Sequence, residues 1–449
     1  MNGGDIIYHF IMEHFIKPFV DQISDDLGEK LLRDNYTENL WEMYSTTKKV
    51  TPQLVVETTM RAERRTPISR PFGSPYKFSD WDKLLFNPVH LKRLPTPTNT
   101  KIITKTVIGP AVEDPLEIEI PIIIAGMSYG GALSKKCKIA LAKASKIAKT
   151  ATNSGEAPLI MEEREAADKF ILQYNRGGWA EEIDDLSKAD MIEIQLGQGA
   201  QAGAPMRTPA SQIDSEMRTI FKLDKGEDAV IHSRLPNVNS SNDFINLVND
   251  LHAKLTVPIG LKIAATHYLE EELEIAVQAG IDFIAIDGVT AGTHGGPTIL
   301  QDDMGLPTLP ALVRTVEFLE EKGVKDKVSI IAGGGLITPG HFLKALALGA
   351  DAVYTGTAAL LALAHTEGLK ATPWEPPTSL LLHSGRLKDE LDVDKASNYL
   401  VNFLKSSIAE MKLAVKAMGK EDFKELNRDD LCSIDKELAE RIGIDWVYN

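Results

Sequence analysis

Ser329-Ile-Ile-Ala-Gly333-Gly334-Gly335-Leu336 is followed closely by Gly349-Ala-Asp-Ala-Val-Tyr-Thr-Gly356-Thr357. Each piece is a short apolar strand running into glycines, and helix-like sequence fills the gap. That is the layout of the last two strands of a (β/α)8 barrel, where glycine loops let backbone N–H groups approach a phosphate set against a short helix N-terminus. The pair predicts a phosphate-bearing ligand, a nucleotide cofactor, at the C-terminal mouth of a barrel. The plain alternative is that the glycines only make tight strand–helix turns.

Working outward, strand-like runs occur at Ile122–Ala125, Thr150–Thr152, Phe170–Gln173, Met191–Gln195, Ile259–Ile263, Phe283–Asp287, Val328–Ala332 and Ala352–Tyr354. Helical segments such as Lys135–Ala148, Glu270–Ala279, Leu309–Glu321 and Gly340–Leu348 lie between them. Such alternation favours a parallel sheet, and eight units in this span fit an α/β (β/α)8 TIM barrel better than a doubly wound sheet. The chain divides into an N-terminal helical and irregular cap (1–100), the barrel (101–360) and a C-terminal loop and helical extension packed on it (361–449). Lys101–Val107 and Leu116–Ile120 read as a hairpin closing the barrel's bottom. In the helix predicted over 395–418, Val401, Leu404, Ile408, Met411, Val415 and Met418 form a narrow apolar seam. The seam is too short for a coiled coil and is expected to pack on the barrel, with Gly419 as its cap.

The apolar run Ile6, Ile7, Phe10, Ile11, Phe15, Ile16, Phe19 and Val20 is interrupted by His9, Glu13 and Lys17 at helical spacing. It lacks the flanks of a signal peptide and is too short and charged to span a bilayer. An amphipathic helix docking on the protein's own core is expected, with surface membrane contact as the alternative. A net charge of −15 argues against a nucleic-acid or anionic-membrane binder. Two distant cysteines, Cys137 and Cys432, supply neither a disulfide framework nor a metal or iron–sulfur site, so no metal is expected and the default compartment is the cytoplasm.

The remaining strands also end in chemistry-bearing residues, where barrel enzymes place their sites. The first runs into Gly126-Met127-Ser128, small residues against which a flat ring can lie, and the second into Asn153-Ser154-Gly155-Glu156. The fourth runs into Gln195-Leu-Gly197-Gln198, and the sixth into a glycine-rich loop carrying His294. Lys262, in the fifth, can point inward. Were the ligand a flavin, an ammonium near N1 and the C2 carbonyl would stabilise the anionic reduced ring, by a few kcal/mol at ~4 Å and an effective dielectric near 20. A structural ion pair is the competing reading for Lys262.

In order and spacing, Ala125-Gly-Met-Ser-Tyr-Gly, Thr152-Asn-Ser-Gly-Glu156, Gln198-Gly-Ala-Gln-Ala-Gly203, Gly260-Leu-Lys262-Ile, Ala332-Gly-Gly-Gly-Leu336 and Thr355-Gly-Thr-Ala-Ala359 resemble the FMN-binding synthase domain of glutamate synthase. The resemblance implies a barrel that holds FMN and reduces 2-iminoglutarate to glutamate. It places the flavin ring against Gly126, Met127 and Ser128, with Asn153 among the cofactor residues. Gln198 and Lys262 would meet the ring's polar edge, and Gly334, Gly335, Gly356 and Thr357 the phosphate. It turns Glu156 toward the substrate. By their places after the second and sixth strands, Glu156 and His294 are the candidate general acids, Glu156 being preferred for its motif.

Three departures qualify the resemblance. No cysteine precedes Cys137, so the chain is not expected to release ammonia from glutamine itself. Leu361–Pro377 lacks the family's cluster cysteines, so electrons must enter by another route. A family lysine falls at Gln195, and a His-His-Asp run near Asn239-Ser240-Ser241. Each loss of a charge-assisted contact to a dicarboxylate costs ~1.5–3 kcal/mol. Arg207, Arg218 and Arg234 are the possible replacements. The expected partners are a small amino or oxo acid and a separate electron-donating or ammonia-supplying protein, with a homo-oligomer allowed. The competing functions are an FMN enzyme on another amino or hydroxy acid, and a flavin-binding subunit of a multi-chain complex.

Overall fold

The computed structural model describes residues 10–33, 52, 53, 56, 70, 73–76, 80–293 and 296–449. The chain divides into two compact units, Met1–Ile68 and Ser69–Asn449. In the first, a π-helical turn, Met12–Ile16, leads into an α-helix, Lys17–Leu32. The predicted helix is therefore present over its described part, but none of its residues is buried, and Phe15 and Phe19 are each 65% exposed. Ile6, Ile7 and His9 lie outside the described residues.

The second unit is a barrel. Its strands are β1 (Ile122–Ile124), β2 (Ala151–Asn153), β3 (Lys169–Tyr174), β4 (Met191–Gln195), β5 (Ile259–Ala264), β6 (Phe283–Asp287), β7 (Ser329–Gly333) and β8 (Ala352–Thr355). They pair in parallel in the order β1-β8-β7-β6-β5-β4-β3-β2. At the seam between β1 and β2 a side chain bridges instead of a ladder: Thr150 Oγ1 donates to Ile122 O at 2.7 Å. The helices that follow β1 to β8 in turn include α1 (Lys135–Ala148), α2 (Met161–Ala166), α3 (Ile183–Leu186), α4 (Ser241–His252), α5 (Leu269–Gln278), α6 (Thr308–Glu321), α7 (Pro339–Ala347) and α8 (Thr357–Ala364). Their starts are written in the sequence: Ser134 caps α1 by accepting from Cys137 N, and Thr338 with Pro339 starts α7.

The two-residue period of the strands sorts their side chains. Ile259, Leu261 and Ile263 of β5, and Ile284 and Ile286 of β6, pack outward in the cluster shared with the helices. Inside, the lower layer is apolar: Ile123, Ala151, Ile171, Met191, Phe283, Ile331 and Ala352 form a second cluster. Ile108, Leu116 and Ile118 belong to that cluster, and they come from the antiparallel hairpin Thr106–Ile108/Leu116–Ile118. The hairpin thus closes the barrel's bottom, as its sequence predicts. One register step higher the interior turns polar, which sets the position of the site.

A further helix, α9 (Val393–Ala417), lies along α1 and buries Val401, Leu404, Ile408, Met411 and Val415. It ends at Gly419, whose φ of 71° lets Lys420 N reach Val415 O at 3.1 Å, as in a Schellman cap. Leu84–Phe86 pairs antiparallel with Leu431–Ser433, tying the chain ahead of the barrel to the segment after it. No helix among the described residues is long and apolar enough to cross a membrane.

Candidate functional site

The polar layer is built on one buried carboxylate, Glu193 of β4. Its Oε1 accepts from Asn153 Nδ2 at 2.9 Å and Gln173 Nε2 at 2.7 Å, and its Oε2 accepts from Tyr354 O–H at 2.5 Å. Burial and Glu193 together push the Tyr354 phenol well above its ordinary value, so it remains a donor. Lys262 stands on the neighbouring strand, 3% exposed, with Nζ 3.8 Å from Asp287 Oδ2 and 5.4 Å from the centre of the Tyr354 ring. Burial raises the Asp287 carboxyl, while Lys262 and the Gly199 N–H oppose the rise.

Above this layer a cavity of about 410 Å³ opens at the carboxyl ends of the strands, within the range of small-molecule sites. Gly126, Met127, Ser128, Glu156, Gln198, Lys262, Gly334, Gly335, Gly356 and Thr357, each expected from the sequence, all line it. Asn153 does not line it: its amide is committed to Glu193, to Tyr354 and to the Gly155 N–H, which places it beneath the floor. His294 lies outside the described residues, although its neighbour Thr293 lines the wall.

The floor needs glycine. A Cβ on Gly126 would stand 2.7 Å from Asn153 Oδ1 and 2.8 Å from Gln173 Nε2. At the opposite end Gly334 and Gly335 have φ of 105° and 70°, and a Cβ on Gly335 would come within 2.5 Å of Thr290 Oγ1. Gly356, the N-cap of α8, offers no capping side chain to the helix's first N–H groups, and Gly356 and Thr357 both line the cavity.

Glu156 is 7% exposed and forms a forked ion pair: Arg176 Nε reaches Oε1 at 3.0 Å and Arg176 Nη2 reaches Oε2 at 3.2 Å. Arg176, after β3, is fully buried. Gln195 is also buried and donates to Gln198 Oε1 at 3.4 Å. Asn239, Ser240 and Ser241 are instead exposed residues at the start of α4, where the Ser240 side chain accepts from Asp243 N. Arg207, Arg218 and Arg234 do not line the cavity; Arg207 pairs with Asp228 on the surface.

Residues 79–421 match the conserved region in glutamate synthase. The chain belongs to the glutamate synthase family. Within it, a glutamate synthase large subunit-like protein of Rhizobium meliloti is 30% identical over 391 residues, covering 82% of this chain and 87% of that protein. The archaeal-type glutamate synthase (NADPH) of Thermotoga maritima is 33% identical over 302 residues, covering 66% of this chain and 59% of its own length. The archaeal glutamate synthase (NADPH) of Methanocaldococcus jannaschii is 31% identical over 351 residues, covering 77% and 68%. Among solved structures, an active mutant of (S)-mandelate dehydrogenase aligns at a TM-score of 0.51 and 15% identity over 88% of this chain and 99% of that one, which shows a shared barrel fold.

The residues present in this glutamate synthase family member fit a flavin mononucleotide. The glycine cradle and the uncapped α8 N-terminus suit one phosphate, and no second phosphate-binding fingerprint is evident in the sequence. Gln173, which lines the cavity, leaves its Oε1 buried without a donor, a match for the ring imide N–H. Gln173, Glu193, Tyr354 and Arg176 were not legible as site residues in the sequence. The signal for the first three was their inward register, which strand periodicity carries but which reads equally as a core polar position.

Proposed function

We propose that this chain is an FMN-dependent oxidoreductase acting on a small amino, imino or oxo acid at the barrel mouth. The observation that supports it is the convergence on one cavity of a glycine cradle at one end and the Gln173–Lys262 polar edge at the other. Bound FMN would supply hydride exchange at its N5. Gly126, Met127 and Ser128 hold the ring's face, and Lys262 offsets negative charge at its polar edge. Glu156, fixed by Arg176, meets the substrate nitrogen or oxygen and handles its proton, with His294 as the alternative. The chemistry nearest to the family's is the reduction of an imino acid to an amino acid, as 2-iminoglutarate is reduced to glutamate. The Rhizobium relative carries "large subunit-like" in its name, which favours a second chain that feeds electrons or ammonia to this one.

Anaerobic mixing of the yellow protein with amino, oxo and hydroxy acids tests the reading. At least one amino or oxo acid is expected to bleach the oxidised flavin band or restore it after chemical reduction. A response confined to hydroxy acids would move the enzyme to another class. A response to none, with or without the neighbouring gene products, would contradict an oxidoreductase.

A further inference from the structure

The charges around the cavity define a substrate class, an inference that rests on the reading of this cavity as the flavin site. Among the described residues that line it, Lys262 is the one lysine or arginine. That ammonium already faces Asp287 at 3.8 Å. The Arg176 guanidinium behind the wall is fully buried and spent on both oxygens of Glu156. Two amides line the cavity on the loop after β4, Gln198 and Gln201. Gln198 Nε2 donates to Gln201 Oε1 at 2.8 Å, and Gln201 Nε2 to Ala204 O at 3.4 Å. Gln195, just behind them, leaves its own Oε1 buried without a donor.

A dicarboxylate brings two charges into such a wall, and a desolvated carboxylate without a cation is strongly disfavoured. Amides and an anionic Glu156 edge instead recognise N–H groups. We infer that the substrate is a small amine or imine carrying at most one carboxylate, with an uncharged polar group, a carboxamide or hydroxyl, at its far end. Met206 and Ile231, from the hairpin Met206–Thr208/Ala229–Ile231 inserted after β4, add an apolar flank that suits such an uncharged end.

Calorimetric titration of the holoprotein, with FMN content measured on the same sample, tests this with two matched pairs: glutamate against glutamine, and 2-oxoglutarate against its ω-amide. In each pair the amide is expected to bind at least about tenfold tighter, the equivalent of one charge-assisted contact. Gln201→Lys is expected to reverse the preference without lowering FMN content. Equal or tighter binding of the dicarboxylates by the wild-type protein would overturn the inference, as would failure of the amides to bind. Absence of FMN from the sample would instead strike the flavin reading beneath it.

Discussion

Replacing Lys138 by methionine is expected to lower the unfolding free energy by about 3–5 kcal/mol. Lys138 of α1 and Glu163 of α2 are fully buried, with Nζ 2.9 Å from Glu163 Oε1. The same ammonium donates to Asn153 O at 2.9 Å and Ser154 O at 3.0 Å, so one side chain pairs with Glu163 and serves two carbonyls at the end of β2. Burial pushes the Glu163 carboxyl up to about 7 even with Lys138 beside it. Because the folded value is the higher one, the proton on Glu163 favours the fold below its unfolded value, and that stability is lost as pH rises through about 7. Without Lys138 the folded carboxyl must keep its proton further still, so the variant's stability goes on falling above pH 7, where the wild type levels off. Denaturant unfolding at pH 6 and pH 8.5 reads both effects. A loss under about 1 kcal/mol at both pH values would show that the pair carries little of the stability.

Glu156→Gln is expected to keep FMN and to lose turnover by about 10²–10⁴-fold, the range for a positioned acid or base. The introduced carboxamide would still accept from Arg176 but could neither carry a proton nor balance the guanidinium. The substitution thus separates chemistry from cofactor binding, since Glu156 stands on the loop after β2 and the phosphate cradle on β7 and β8. FMN released on denaturation and the turnover rate are to be measured on one preparation. A variant turning over at the wild-type rate would make Glu156 a structural partner of Arg176 and leave His294 as the leading candidate.

The barrel was legible because strand and helix signals alternate cleanly. The runs at Met191–Gln195 and Phe283–Asp287 fold as read, and the glycine pair at Gly334 and Gly335 takes up a conformation that other residues resist. Long-range polar pairing was not legible. Nothing local in the sequence joins Glu156 to Arg176 or Glu193 to Tyr354, and only the closed sheet brings them within hydrogen-bond reach. Asn153 sat in the right motif but beneath the floor, because a β2 residue pointing inward meets Glu193 before it meets the cavity. Asn239–Ser241 matched by position along the chain, yet the long insertion after β4 carries them to an exposed helix start. The periodicity of the N-terminal apolar run forecasts a helix but not what covers it.

FMN content tests the central claim most directly. The purified protein, denatured and its flavin resolved by chromatography, is expected to release FMN and no FAD at close to one equivalent per chain, or to take it up stoichiometrically when supplied. Colourless protein that fails to bind added FMN, or protein that releases FAD, would contradict a monophosphate cradle at Gly334, Gly335 and the α8 N-terminus.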